Sequence, residues 1–261
     1  MIVKADDTLN QRIVDYLDEE KAMNLFILGD IENFGYKSDF QDIWVDIGNG
    51  GDIKGIMLRY FGNYLPYAKE SINAEGFSKV IKDGPPLEML SGKKEIVEQF
   101  QPVFSFTAKK DLYFAELEEK NFTMKGLGRD DLTYAAVDDA DDIIEMHNSI
   151  KEFQRRETAR ESLVQTLTTK TGRSYFIKKD GKMVASAATT AENSRSAMVV
   201  GVCTHVDYRQ QGLASRCTAV LCEDVLNEGK ILCLFYDNPR AGSIYKRMGF
   251  QDIGMWSMYS K

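Results

Sequence analysis

One window constrains this chain more than any other: Met198-Val-Val-Gly-Val-Cys-Thr-His-Val-Asp-Tyr-Arg-Gln-Gln-Gly-Leu-Ala-Ser215. An apolar run suited to a buried strand ends at Thr204, a short polar loop follows, and helical periodicity resumes to about Asn227. The loop reads Arg209-Gln210-Gln211-Gly212-Leu213-Ala214, an R-x-x-G-x-A pattern. Glycine lets backbone approach a ligand closely, and amides at a helix N-terminus suit phosphate oxygens. A small residue at Ala214 lets the helix begin tight against ligand and sheet. Alone, the pattern fits an ordinary strand-to-helix turn equally well. It lacks the G-x-G-x-x-G spacing of a dinucleotide fold. The stretch from Gly84 to Gly92-Lys93-Lys94 has the wrong glycine spacing for a P-loop and no Ser or Thr after the lysine.

The surroundings sharpen the reading. Downstream lie an apolar strand Ile231–Phe235, the segment Tyr236-Asp237-Asn238-Pro239-Arg240-Ala241, and a helix carrying Tyr245 that stops at Gly249-Phe250. A last strand runs from about Gln251 to Tyr259. Upstream, Leu132–Val137 reads as a strand, and Asp138–Ile150 as a helix whose acidic first turn suits the positive end of the helix dipole. A second helix spans about Glu157–Thr169. Tyr175–Lys178 and Met183–Ala191 pair around Lys179-Asp180-Gly181-Lys182, where Asp-Gly supplies the hairpin turn. After a turn at Glu192–Ser196 comes the strand Ala197–Thr204. Strands alternating with helices predict an α/β, layered α+β domain.

Taken in order, V-x-T at Val202-Cys203-Thr204, R-x-x-G-x-A, and N-x-x-A-x-x-x-Y-x-x-x-G-F from Asn238 to Phe250 resemble the GNAT superfamily of acyl-CoA-dependent N-acetyltransferases. The resemblance covers 132–261. It implies a mixed, mostly antiparallel sheet flanked by helices, with acetyl-CoA as co-substrate and no metal. Carried over by position, backbone groups of Val202, Cys203 and Thr204 would bind the pantetheine arm. The Arg209–Ser215 loop, with the amides of Gln210, Gln211, Gly212, Leu213, Ala214 and Ser215, would hold the pyrophosphate. Asn238 would bond the pantetheine or simply cap the helix before Pro239. Tyr245 would protonate the departing thiolate, the alternative being a packed aromatic. Gly249-Phe250 reads as a helix stop and a core residue.

Two departures stand out. Val206 occupies a position often proline in the family. The strand Leu232-Cys233-Leu234-Phe235-Tyr236 holds no carboxylate, where some members place a glutamate base. A base must come from elsewhere, act through water, or be unnecessary if the amine arrives deprotonated. Glu157, Glu192, Asp237 and His147 are candidates, none preferred. His205 reads as a solvent-facing loop residue.

Residues 1–125 show helices at Leu9–Glu20 and Ala22–Phe34, strands at Asp42–Ile47 and Ile53–Phe61, and an extended Leu112–Glu118. Between them the strand Leu87–Leu90, turn Ser91-Gly92 and helix Lys93–Phe100 imitate the cofactor layout without its loop motif. The aperiodic stretch Phe122–Asp131 reads as a linker. The halves have comparable elements, so the first resembles a degenerate GNAT copy without a cofactor loop, a wall for the acceptor. Phe34, Tyr36, Tyr60, Phe61, Tyr64 and Tyr67 are candidates to line that wall or to pack its core.

Composition serves mainly to exclude. With 33 Lys+Arg against 40 Asp+Glu, a net charge of -7 argues against general nucleic-acid affinity. A chain of 261 residues buries roughly 70–75% of its unfolded surface, so it needs neither disulfides nor metal to fold. Cys203, Cys217, Cys222 and Cys233 form no C-x-x-C pair and sit in apolar settings, which suits packing. With only His147 and His205 besides, no zinc site is expected. No run approaches the roughly 20 apolar residues of a membrane span, and the start lacks a signal-peptide pattern, so a cytoplasmic protein is expected. The expected function is direct acetyl transfer to a small-molecule amine or peptide. The alternatives are a non-catalytic acyl-CoA-binding module and an acyltransferase with another acyl group or acceptor. Oligomeric state stays open, a homodimer included.

Overall fold

Each half of the chain runs through the same series of elements. The computed structural model describes every residue except 152 and 154–158. The first half contains β1 (Ile2–Lys4), α1 (Asn10–Asp18), α2 (Leu25–Phe34), β2 (Gln41–Ile47), β3 (Ile53–Tyr60), β4 (Asn63–Tyr67), α3 (Ala74–Asp83), β5 (Met89–Lys93), α4 (Lys94–Val97) and β6 (Ala108–Leu117). The second contains β7 (Leu132–Tyr134), α5 (Ala140–Asn148), α6 (Ala159–Thr169), β8 (Ser174–Lys179), β9 (Lys182–Thr190), β10 (Ser196–Thr204), α7 (Leu213–Asn227), β11 (Ile231–Tyr236), α8 (Pro239–Met248) and β12 (Gln251–Ser260). Fold class agrees with the sequence reading: mixed, mostly antiparallel sheet with flanking helices. The chain forms two compact units, Met1–Phe114 with Phe235–Asp237 and Asp252–Lys261, and Ala115–Leu234 with Asn238–Gln251. The compact units divide between Phe114 and Ala115, and the last strand is grouped with the first unit.

In the first unit the strands lie in the order β1-β2-β3-β4-β5-β12-β6. Neighbours β1 through β4 are antiparallel, β4 and β5 parallel, and β12 pairs antiparallel with β5 from Trp256↔Lys93 to Ser260↔Met89. Met57, Tyr64, Phe77, Leu90, Phe100 and Tyr259 meet in one buried cluster. The sequence reading missed β4 and α3. Pro66 inside Asn63-Tyr-Leu-Pro-Tyr67 argues against an inner strand, and α3 carries Gly76 and Ser78 within its ten residues. Ser91-Gly92 is not a turn but part of β5, opposite Met258 and Ser257. A Cβ on Gly92 would lie 2.9 Å from the Pro66 carbonyl oxygen, so glycine serves close strand packing rather than a bend. Of the six candidate wall aromatics, Tyr36, Tyr64 and Tyr67 are buried, and Phe34 and Phe61 are exposed.

The second unit orders its strands β11-β10-β9-β8-β7. Asp180 (φ 51) and Gly181 (φ 76) make the left-handed β8–β9 turn that the Asp-Gly pair predicts. Helix α5 starts two residues later than read, because Val137–Asp139 form a 3-10 turn in which the Asp139 carboxylate accepts from the Ala136 N–H at 2.9 Å. α6 is described from Ala159, so Glu157 lies outside the described residues. Helix α7 buries Leu213, Cys217, Val220, Leu221, Cys222 and Val225, which makes it the core helix of this unit.

Candidate cofactor and active site

Strand β10 pairs in parallel with β11 at Ser196↔Ile231, Ala197↔Leu232 and Met198↔Cys233, and the pairing stops there. Val202, Cys203 and Thr204 therefore lie on a strand end that has left its parallel neighbour. On the other edge the register with β9 shifts between Val200 and Cys203. Gly201 takes φ +62 in this bulge, a conformation that favours glycine.

The loop after β10 turns through a 3-10 segment, Val206–Tyr208, into Gln210 (φ 65) and Gly212 (φ 71). Gly212 caps α7 in the left-handed conformation with no side-chain hydrogen bond. The first helical bond runs from Arg216 N–H to the Gly212 carbonyl at 2.9 Å. The N–H groups from Gly212 to Ser215 are thus the orphan donors of a helix start, in a stretch with nothing within 4 Å of a Cβ on Gly212. A run of free amides, a positive helix end and open space fit a pyrophosphate. Positive charge surrounds the cradle. Arg209 Nε donates to the Thr204 carbonyl at 3.4 Å, and Lys179 Nζ reaches Gln211 Oε1 at 3.0 Å. Sequence reasoning missed Lys179, which sits on β8 thirty-two positions before Gln211; only hairpin geometry brings it here.

Asn238 is an N-cap: its Oδ1 accepts from Arg240 N–H at 2.9 Å, with Pro239 in the first turn. Lys246 and Arg247 in the last turn and left-handed Gly249 (φ 108) close the other end of α8. Tyr245 meets Phe250 edge-on at 5.9 Å between centroids. Burial pushes its phenol up to about 12, with Cys222 and Cys203 adding to the shift.

The candidate bases separate cleanly. Glu192 is buried and bonded by Arg173 at 2.9 and 2.8 Å, with Lys230 at 3.4 Å and the Thr189 hydroxyl also bound. It precedes β10 and is committed to these partners, so it is a structural anion. Asp237 belongs to the first unit, where it pairs with Lys110 at 3.2 Å. His205, half-buried, accepts from Asp207 N–H at 3.4 Å within its own loop. His147 alone of the described candidates reaches the bulge. Its ring stacks on Phe153 at 4.7 Å, its Nε2 lies 3.3 Å from Ser186 Oγ, and a Cβ on Gly201 would lie 3.5 Å from its Cε1. Burial lowers its pKa to about 4, which leaves it neutral but too weakly basic to hold an amine proton.

A stability prediction follows from this histidine. Between pH 6.5 and about 4 the unfolded chain takes up a proton that the folded imidazole refuses. Stability present above pH 6.5 is therefore lost on acidification, by about 3 kcal/mol in all. His147→Gln should flatten that part of a melting-temperature profile; an unchanged slope would assign it to other groups.

All four cysteines are buried, and none of them forms a disulfide. Burial raises the Cys203 thiol to about 11 and the Cys217 thiol to about 12, so neither is a thiolate nucleophile at neutral pH.

The first unit contains the topological counterpart of this site, and it is β4-loop-α3 rather than the segment around Ser91. There β4 and β5 pair at Asn63↔Met89 and Tyr64↔Leu90 and stay close beyond, at Pro66 and Gly92. Side chains tie the strand ends: Tyr67 Oη donates to Glu20 Oε2 at 2.8 Å, and Lys93 Nζ donates to the same oxygen at 3.1 Å. The Asn73 side chain accepts the Gly76 N–H at 3.0 Å, which consumes a first-turn amide of α3.

Comparison with known proteins accords with this geometry. The GNAT acetyltransferase family model matches residues 164–259. No curated protein matches the sequence. A Drosophila protein of known structure superposes with a TM-score of 0.71 at 10% identity, covering 100% of this chain and 98% of that one. A tandem GNAT protein from the clavulanic acid biosynthesis pathway gives 0.61 at 13% identity over 100% and 98%. A GNAT-family acetyltransferase from Colwellia psychrerythraea gives 0.58 at 12% identity over 100% of both chains. At such identities the likeness is one of fold.

Proposed function

This chain is a tandem GNAT-fold protein whose region 164–259 matches the GNAT acetyltransferase family, and from that premise we propose that it transfers an acetyl group from acetyl-CoA to an amine in a ternary complex. The observation that carries the reading is the cradle of free amides from Gly212 to Ser215 beside a strand end parted from its neighbour. In this proposal the amides of Gln210, Gln211, Gly212, Leu213, Ala214 and Ser215 bind the pyrophosphate, assisted by the charge of Arg209 and Lys179. Backbone groups of Val202, Cys203 and Thr204 bind the pantetheine arm, with Asn238 as a further contact beside its capping role. Orientation of the two substrates supplies much of the rate. Tyr245, protonated across the physiological range, supplies the proton that the thiolate takes as it leaves.

No carboxylate on β11 serves as base, and the described candidates are committed elsewhere or too weakly basic. The amine then arrives deprotonated or loses its proton to water. The first repeat binds no acyl-CoA in this reading: β4 and β5 stay together at Pro66 and Gly92, Tyr67 and Lys93 both bond Glu20 at the strand ends, and Asn73 takes the Gly76 amide. No helix among the described residues is long and apolar enough to cross a membrane, and cytoplasmic acetyl-CoA suits the donor proposed.

Gly212→Asp tests the cradle. A carboxylate there faces a pyrophosphate; open space avoids a clash, and the left-handed backbone (φ +71) costs about 1 kcal/mol of stability. Calorimetric titration with acetyl-CoA should show Kd raised at least about 10-fold, or 1.4 kcal/mol, with a fall in melting temperature no larger than a few degrees. An unchanged Kd removes the pyrophosphate assignment. The lack of a carboxylate on β11 favours as second reading a non-catalytic acyl-CoA-binding module. Thiol release over a broad panel of amines and peptides separates the two, and thermal shift with acetyl-, succinyl- and longer-chain CoA distinguishes another acyl donor.

A further inference from the structure

Under the β10 bulge the buried Ser186 and Cys203 and the half-buried His147 meet at one hydroxyl. Ser186 is 1% exposed, and its Oγ donates to the Gly201 carbonyl at 3.0 Å. The same oxygen lies 3.3 Å from His147 Nε2 and 3.3 Å from Cys203 Sγ. A hydroxyl has one proton and two lone pairs. With its proton on the Gly201 carbonyl, Ser186 must accept from both neighbours. The imidazole is thereby the neutral tautomer protonated at Nε2, and Cys203 is the thiol, states that burial of each group favours. Every donor and acceptor on the Ser186 hydroxyl is satisfied, so the cluster has one arrangement.

The placement of this cluster matters for the chemistry. The Gly201 carbonyl and the Val202 N–H belong to one peptide unit, and a hydrogen bond to the carbonyl polarises the N–H. That peptide sits in the bulge, past the last β10–β11 pair and just before the strand end assigned to the acyl donor. Glycine at 201 serves its φ of +62, since a Cβ there would meet the imidazole only at an ordinary contact distance of 3.5 Å.

We propose that His147, Ser186 and Cys203 form a positioning relay that holds the Gly201–Val202 peptide in its bulged orientation and strengthens Val202 N–H as a donor to the thioester carbonyl. The relay rests on the acyl-CoA reading above. The amine nitrogen bonds the carbonyl carbon, and the C=O π pair moves to the oxygen, where Val202 N–H stabilises it. The pair returns as the C–S bond breaks; sulfur takes the Tyr245 proton, and the surplus amine proton leaves to water, from which the phenolate is reprotonated. No proton leaves the relay.

Ser186→Ala, His147→Ala and His147→Gln test it, with kcat, KM and the infrared band of carbonyl-13C acetyl-CoA as readouts. Ser186→Ala and His147→Ala should lower kcat about 10- to 100-fold, with KM for acetyl-CoA within about two-fold and the bound carbonyl band moved toward its solution frequency. His147→Gln keeps one N–H donor and should restore most of the loss. A purely structural cluster would lower melting temperature in both alanine variants while leaving the bound carbonyl band in place; that result, or kcat within about two-fold of the parent, overturns the relay. If the parent protein neither binds nor turns over acetyl-CoA, the function proposed above fails and takes the relay with it. A parent that does both while the variants' band stays unmoved sinks the relay alone.

Discussion

Tyr245→Phe should lower kcat about 100-fold, within the range general acids supply, and leave KM for acetyl-CoA nearly unchanged. The phenol is raised to about 12 by burial, first among its causes. An acid works while protonated, so a raised pKa extends its useful range upward. In the parent protein kcat/KM should climb with pH as the acceptor amine loses its proton, with no fall below pH ~11, since the acid is about one-tenth ionised one unit under its pKa. The variant should follow the same rise at a lower level. Release of free thiol from acetyl-CoA, followed against pH, measures both features. Unchanged turnover in Tyr245→Phe would return the residue to the packing role that its edge-on contact with Phe250 also supports.

The second large effect is on folding. Gly249→Ala should cost more than about 3 kcal/mol, a fall in melting temperature of roughly 10 °C for a chain this size. Gly249 ends α8 at φ 108, and a Cβ there would run into the Asn121 carbonyl oxygen, a backbone atom that cannot swing aside. The backbone strain and the collision add. Gly181→Ala is the matched control: its φ is 76 with nothing within 4 Å of the added carbon, so only about 1 kcal/mol is expected. Equal melting temperatures for the two variants would show that Asn121 moves freely.

How much of the site was legible depended on how local its parts are. Arg209–Ser215 is one uninterrupted segment, and its glycine, small residue and helix start are all within reach of a spacing argument. Asn238 and Pro239 mark a helix start, and Gly249 a helix stop, through backbone rules that act within one turn. The hairpin at Asp180-Gly181 was readable for the same reason. What failed was equally physical. Strand β4 was missed because its Pro66 breaks the pattern of an inner strand, and Ser91-Gly92 looked like a turn although the glycine is there for close packing. Glu192 resembled a candidate base until its guanidinium and ammonium partners, nineteen and thirty-eight positions away, were seen around it.

Sequence alone determined the fold class of the chain, the glycine-capped start of the helix after Arg209-Gln-Gln-Gly and the helix stop at Gly249, because each is encoded by residues within a few positions of one another. Tertiary structure alone decided which groups meet: Lys179 on Gln211, His147 and Ser186 under Gly201, and, in the first unit, Tyr67 and Lys93 on Glu20. Those contacts join residues 15 to 73 positions apart. They depend on strand register and on a bulge of one residue, and a register shift of one residue turns every side chain on a strand to the opposite face.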